Sequence, residues 1–335
     1  MQTKRRPLFI YQGPHYVHAE WAYSVNSKFV HFRLVRRFRK FKPAKIILRA
    51  SLLTSLTKPM FVMSEGGAPL TEAALVKIVK NTPMIYLATD ITPWKMINGD
   101  SYLTELTELS DLVVANSKMM IDDLLKCCSL KNYVIIYPFV RNHFFNFYEY
   151  ARDIEKDERK GIFVGSLTRF KGAHLLTEVA ERIRRKVARF KLIAIGRPHD
   201  VKLKETKALK PVGYISTSDP WALHAISSAK VYVHPAIYES FGVSIAESII
   251  LGTLPVVTNH TGIKEFLPKD LIADSIADLV EKVIYVLHLN QDEYDDLIMK
   301  IRNCIIPKVR KDFSVNSFKS CVSHLWNLKK VVNLK

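Results

Sequence analysis

The stretch Val231-Tyr-Val-His-Pro-Ala-Ile-Tyr-Glu239-Ser-Phe-Gly-Val-Ser-Ile-Ala-Glu247-Ser-Ile-Ile-Leu-Gly252-Thr-Leu-Pro-Val-Val257 decides how this chain is read. Lys230–His234 reads as a buried strand, Val243–Leu251 as a helix that Gly252 stops, and Pro255–Thr258 as the next strand. Strand, loop, helix and strand in succession form a βαβ unit, and such units stack into parallel sheets covered by helices. The loop carries Glu239 and the helix carries Glu247, with seven residues between them. Both carboxylates can then face one polyhydroxyl ligand while the N–H groups of Phe241, Gly242 and Val243 meet its oxygens. Two glutamates on a loop and a helix are by themselves an ordinary surface feature. The strand-end position and the intervening Ser240-Phe241-Gly242 set this pair apart.

Outward from that unit the pattern repeats. Ile162–Gly165, Lys191–Gly196 and Pro211–Ile215 read as strands, and Ala173–Val187 and Pro220–Ala229 as helices, which completes one doubly wound domain. In the first half, strands are expected at Leu8–Tyr11, Phe61–Met63, Met84–Ala88, Leu112–Ala115 and Tyr133–Tyr137, with helices at Glu72–Lys80 and Lys118–Leu125. Glu149–Lys160 is dense in both charge signs and lacks apolar periodicity, so the domain boundary is placed there, and Asp292–Leu334 reads as mostly helical. The expected division is residues 1–150, 151–312 and a terminal helix 313–335 crossing back to the first domain.

Composition narrows the partners. The 335 residues are 48% hydrophobic, which excludes a disordered polyelectrolyte and a collagen-like chain. Fifty Lys and Arg against 32 Asp and Glu leave +18, a charge suited to nucleic acid, an anionic membrane or a phosphorylated small molecule. Cys127, Cys128, Cys304 and Cys321 lack metal-ligand spacing and read as reduced thiols of a cytoplasmic protein. The apolar run Leu8–Tyr11 is too short for a signal peptide, and no run approaches the roughly 18 residues of a membrane span. Neither G-x-G-x-x-G nor a phosphate loop ending in Gly-Lys-Ser/Thr occurs, which removes the main support for dinucleotide and P-loop readings.

The opening segment resembles the E-x7-E signature of the retaining, nucleotide-sugar-dependent glycosyltransferases of family 4, which have the GT-B fold. Gly161-Ile-Phe-Val-Gly165-Ser-Leu-Thr-Arg169-Phe-Lys171-Gly172 is similar to that family's V-G-R-L turn and K-G helix start. Thr258-Asn-His-Thr261-Gly262-Ile-Lys-Glu265 is similar to its Gly-Gly-x-x-Glu turn, and Ser110-Asp-Leu-Val-Val-Ala-Asn-Ser117 to a strand of its first domain. The likeness runs from about Met84 to Leu267 and is poor before Phe61. It implies an α/β fold of two Rossmann-like doubly wound domains facing a central cleft, and transfer of a sugar with retention from a nucleoside-diphosphate donor to an acceptor hydroxyl. It further implies that Lys171 pairs with the donor diphosphate, that Glu247 accepts the ribose hydroxyls and that Glu239 lies against the sugar. Gly165 and the Phe241-Gly242-Val243 amides complete the donor site.

Three departures qualify it. Ser166 stands at the Arg position of V-G-R-L, leaving Arg169 as the nearby cation. In Tyr86-Leu-Ala-Thr89-Asp90-Ile-Thr-Pro93, similar to the family's H-D-x-x-P turn, Thr89 replaces the His; Asp90 remains as a catalytic contact, and His15 or His18 could take the missing role. The Gly-rich turn after the first strand is reduced to Gln12-Gly13-Pro14, with Gly13 as the close-approach position. A D-x-D metal clamp is absent from the sequence, so no metal and no cofactor beyond the nucleotide sugar are expected. A sugar-nucleotide epimerase and a catalytically weak binding module are the alternatives; nucleic-acid binding has the charge but no recognition module.

Asn26–Ala50 holds nine Lys/Arg and no acid, and a helical wheel puts Val30, Leu34, Phe38 and Phe41 on one side with Arg36, Arg39 and Lys40 opposite and Arg33 and Arg37 flanking. The expectation is a basic amphipathic helix that docks on an anionic membrane, with a glycan, a lipid-linked molecule or a protein as acceptor.

Overall fold

The computed structural model describes residues 5–13, 15–31 and 58–332. The chain divides into two compact units, Met1–Tyr137 with Asp312–Lys335, and Pro138–Lys311, each built on one six-stranded parallel sheet. Two Rossmann-like α/β units of this kind are the two domains of a GT-B fold.

The first unit contains β1 (Leu8–Tyr11), β2 (Lys28–His31), β3 (Val62–Glu65), β4 (Met84–Ala88), β5 (Leu112–Ala115) and β6 (Tyr133–Ile135), in the order β2-β1-β3-β4-β5-β6. Leu8 pairs with Val62, Val62 with Met84 and Ile85 with Leu112. β4 and β5 are buried throughout, as interior strands of a parallel sheet must be, and this is why they are continuous apolar runs in the sequence. Helices α1 (Tyr16–Ser24), α2 (Leu70–Lys80), α3 (Thr92–Ile97), α4 (Ser101–Glu108) and α5 (Lys118–Leu125) cover the sheet. Asp100 and Ser117 cap α4 and α5 by accepting from the N–H groups of Leu103 and Met120. Leu70, Val76, Met120 and Leu124 pack onto Ile10, Val62, Tyr86 and Val113 to form the core.

The second unit contains α6 (Asn142–Ala151), β7 (Asp157–Val164), α7 (Leu176–Lys186), β8 (Lys191–Ile195), β9 (Leu209–Gly213), α8 (Pro220–Ser227), β10 (Ala229–His234), α9 (Val243–Ile250), β11 (Leu254–Thr258), β12 (Ile272–Ala273), α10 (Ile276–His288) and α11 (Gln291–Ile305). Its strand order is β12-β11-β10-β7-β8-β9. The chain winds outward in one direction from β7 and in the other from β10, so the β7/β10 seam is a topological switch point, as β1/β3 is in the first sheet. Loops diverge at the carboxyl ends of such seams and leave a crevice there. The last helix, α12 (Lys311–Val332), belongs to the first unit: Phe318 stacks on Trp21 at 5.3 Å between ring centroids, and Trp21 Nε1 donates to Ser314 Oγ at 3.0 Å.

Several sequence expectations need correction. The division falls after Tyr137, not within 149–160, because that charged stretch contains the end of α6 and the start of β7. The first half of β7 projects toward solvent, so Asp157-Glu-Arg-Lys160 carries charge and hides the strand. The edge strand β9 starts two residues early and accommodates Pro211, an edge position that a proline tolerates. The expected helix Ala173–Val187 is a 3₁₀ turn, Ala173–Leu175, followed by α7. Lys28–His31 is not part of a helix: these residues pair along β1, and Phe29 and His31 pack edge-on against Phe9 and Tyr11. The rest of the basic segment, with Arg33, Arg36, Arg37, Arg39 and Lys40, lies outside the described residues.

Candidate functional site

At the β7/β10 seam, two loops meet backbone to backbone. Ile237 N–H donates to Phe170 O at 2.7 Å, and Glu239 N–H donates to His260 O at 2.9 Å while its carbonyl accepts from Gly262 N–H at 2.9 Å. The loops after β7, β10 and β11 are thus tied together through main-chain bonds. Gly172 is the pivot: its φ is +70°, and a Cβ there would lie 1.8 Å from Pro235 O, so only glycine lets the first two loops touch.

This junction brings Lys171 to Glu239. Nζ sits 2.5 Å from Oε2, with the Lys side chain 30% exposed and the Glu 11%. His234 Nε2 lies 3.6 Å from the same Oε2, and its ring stacks on Phe163 at 5.7 Å. Burial alone would raise the Glu239 pKa, but the adjacent Lys171 ammonium and the His234 ring outweigh it, so the carboxyl sits well below the usual range. Burial pushes His234 down, against the opposing pull of Glu239. Glu239 is therefore ionised at neutral pH and shared between a cation and an imidazole.

Glu247 behaves in the opposite way. It stands on the second turn of α9, is 5% exposed, and makes no side-chain hydrogen bond to any described residue. Burial raises its pKa to about 8, only partly offset by the more distant charges of Arg141 and Lys171. One glutamate of the pair is anionic and partnered; the other is a buried carboxyl with nothing to bond. The first-turn amides of α9, from Val243, face no carbonyl within their own helix, and Gly242 before them adopts φ +97° with its Cβ position 2.5 Å from Ile245 Cδ1, so the loop turns into the helix only with glycine.

The remaining expected donor residues lie on the same loops. Gly165 ends β7, Ser166 is exposed, and Arg169 is exposed with its N–H held by the Asp200 carboxylate at 3.2 Å. Phe241 is buried, packing edge-on against Phe266. The sequence gave no role to Tyr232, yet its hydroxyl donates to Val164 O at 2.7 Å and meets Ser244 Oγ at 2.9 Å, pinning the end of β7 to the first turn of α9. A polar tyrosine at the middle of an otherwise apolar strand was the available signal. Arg141 was likewise missed; its guanidinium donates to Thr217 Oγ1 at 2.6 Å.

Asp90 and Gly13 are in the first unit, at the carboxyl ends of β4 and β1. Each Asp90 oxygen accepts one backbone N–H, from Gly67 at 3.2 Å and Thr92 at 3.0 Å, so this carboxylate fixes the loop after β3 to the start of α3. Gly13 is exposed, and a Cβ there would meet no described atom within 4 Å. His18 Nδ1 lies 2.7 Å from Glu65 Oε1.

Residues 146–303, a little under half of the chain, match the family model described as glycosyl transferases group 1. This stretch covers the whole Lys171–Glu239–Glu247 constellation. No curated protein matches the sequence. Among solved structures, sucrose-phosphate synthase from Thermosynechococcus elongatus superposes with a TM-score of 0.75 over 97% of this chain and 100% of that one, at 12% identity. Anabaena HepE, in a complex with UDP and glucose, gives 0.73 over 96% and 100% at 11% identity. The α,α-trehalose 6-phosphate synthase of Burkholderia multivorans gives 0.74 over 99% and 98% at 9% identity. At such identities these likenesses establish the fold, while the family model marks the second unit as a glycosyl transferase group 1 domain.

Proposed function

We propose that the chain is a retaining glycosyltransferase that moves a sugar from a nucleoside-diphosphate donor to an acceptor hydroxyl. The observation that carries this reading is the asymmetry of the glutamate pair at the β7/β10 seam: an ionised Glu239 held by Lys171, beside a buried Glu247 lacking any partner. A ribose diol gives Glu247 the hydrogen bonds it lacks. The diphosphate takes Lys171 as its counter-ion, and the α9 amides add a positive field at the same end. Glu239, released from part of its ion pair, then lies against the sugar. The named neighbours that hold UDP support a uridine donor for this chain.

In the proposed step, the anomeric C–O bond to the diphosphate breaks and the acceptor O–C bond forms on the same face. The acceptor proton passes to the departing phosphate oxygen. Negative charge grows on that oxygen, which is where the Lys171 ammonium and the helix amides stabilise it. We assign no metal to this step: cationic and amide groups hold the diphosphate. The acceptor is placed at an anionic membrane surface on the cytoplasmic side, on the strength of nine Lys/Arg without an acid in Asn26–Ala50. No helix among the described residues is long and apolar enough to cross a membrane.

The test is a thermal-shift screen of nucleoside-diphosphate sugars, followed by NMR of the anomeric product. A bound donor raises the melting temperature by mass action, and UDP-glucose is expected to do so after exhaustive chelation as well as before it. An inverted product, or strict dependence on Mn²⁺ after chelation, refutes the mechanism; failure of every donor to protect refutes the function.

A further inference from the structure

We propose that His18 accepts a hydrogen bond from a hydroxyl of the second substrate, which makes the β1/β3 switch point of the first unit the seat of the acceptor; this rests on the sugar-transfer reading above. His18 lies on α1, which leaves the carboxyl end of β1, and Glu65 ends the neighbouring β3. The two side chains are 6% and 9% exposed, and His18 Nδ1 sits 2.7 Å from Glu65 Oε1. The same Oε1 accepts the backbone N–H of His15 at 3.0 Å, so one carboxylate oxygen sets both the entry of the helix and the orientation of the imidazole. An oxygen that already accepts from one N–H leaves Nδ1 to act as the second donor. Neutral imidazole has one hydrogen, and with it on Nδ1 the other ring nitrogen, Nε2, is a bare acceptor.

Nε2 is buried and has no hydrogen-bond partner among the described residues. Its ring is held in place, with Trp21 at 5.3 Å and His15 at 5.6 Å between centroids. The loop that carries Glu65 is equally fixed. Gly67 N–H donates to Asp90, and a Cβ on Gly66 would lie 2.6 Å from the Asp90 carboxylate. An oriented, buried acceptor at a switch point is chemically selective. It bonds an O–H donor and repels the oxyanions of phosphate and carboxylate, so the group it fits is a hydroxyl of a neutral polyol.

The experiment uses the full chain labelled with ¹⁵N-histidine, read by long-range ¹H–¹⁵N correlation. His18 is assigned by comparison with His18→Asn, whose amide still donates to Glu65 but has no atom at the place of Nε2. The protein is titrated separately with the methyl α-glycosides of glucose, mannose, galactose and N-acetylglucosamine, and with inorganic phosphate. The expected result is an Nδ1–H tautomer whose Nε2 resonance moves saturably with at least one glycoside and not with phosphate. An Nε2–H tautomer, no movement with any glycoside, or an equal response to phosphate overturns the proposal. UDP-glucose should bind His18→Asn and the parent with affinities within twofold. If UDP-glucose binds neither, the sugar-transfer reading fails; if it binds both while His18 stays silent, only the present inference falls.

Discussion

The buried carboxyl of Glu247 should cost the ligand-free protein stability, and the cost can be worked out. Its pKa rises from 4.5 to about 8 on folding. Between these values the native state holds a proton that the unfolded chain has released. Stability therefore falls as pH rises through this window, by about 1.4 kcal/mol per unit. The accumulated penalty is about 3 kcal/mol at pH 7 and levels off at about 5 kcal/mol above pH 8. Glu247→Gln has nearly the same shape and does not titrate. Urea denaturation of both proteins from pH 5 to pH 9 should give midpoints that coincide near pH 5 and diverge steadily, with the variant the more stable. The same variant should bind UDP-glucose at least tenfold more weakly, because an amide cannot accept from both ribose hydroxyls. Parallel midpoints across the whole range would refute the assignment of a desolvated carboxyl, and unchanged donor affinity would refute its role.

Three other perturbations test neighbouring parts of the argument. Lys171→Met leaves Glu239 buried without its cation and removes the diphosphate counter-ion, so calorimetric UDP-glucose affinity should fall at least tenfold and stability by about 2 kcal/mol. Gly172→Ala forces a Cβ to 1.8 Å from Pro235 O at positive φ and should cost about 3 kcal/mol or more in urea titration, with donor binding lost alongside. Reversing the charges of Arg36, Arg37, Arg39 and Lys40 to Glu should abolish sedimentation with phosphatidylserine vesicles while leaving UDP-glucose affinity unchanged; equal sedimentation of parent and variant removes the membrane assignment.

The second sheet was readable because its interior strands have to be apolar along their full length. Val231-Tyr-Val-His and Leu254-Pro-Val-Val stand out for that reason, and the glycines at 172, 242 and 252 punctuate them. Where a strand lies on an edge or projects beyond its neighbours, the rule lapses. Lys28–His31 pairs on one side only, and its basic flank imitated a helix; Asp157–Lys160 is strand, yet its charge imitated a linker. The site followed the same logic. Glu239 and Glu247 were visible from spacing, but their unequal protonation was not, because it depends on Lys171 arriving beside one of them from a loop 68 residues away.

Net charge was the least legible quantity, because sequence does not say which cations face water. Lys230 is 2% exposed and donates to Leu289 O at 3.0 Å; Lys156 donates to Ser227 O at 2.5 Å, and burial lowers its pKa to about 7. Arg302 lies with its guanidinium carbon 3.3 Å from the centroid of the Tyr148 ring. These three charges hold α6, β7, β10 and α11 together and have no solvent-facing partner to recruit. A cation that donates to buried carbonyls is a structural bolt, and its positive sign says little about ligands. Lys171, 30% exposed and paired with a carboxylate that a diphosphate can displace, is different in kind. The distinction lies in whether the counter-charge is exchangeable. By that criterion the formal +18 overstates the attraction of the second unit for polyanions in general, and the single exchangeable ion pair at the β7/β10 seam is where a specific one would be taken.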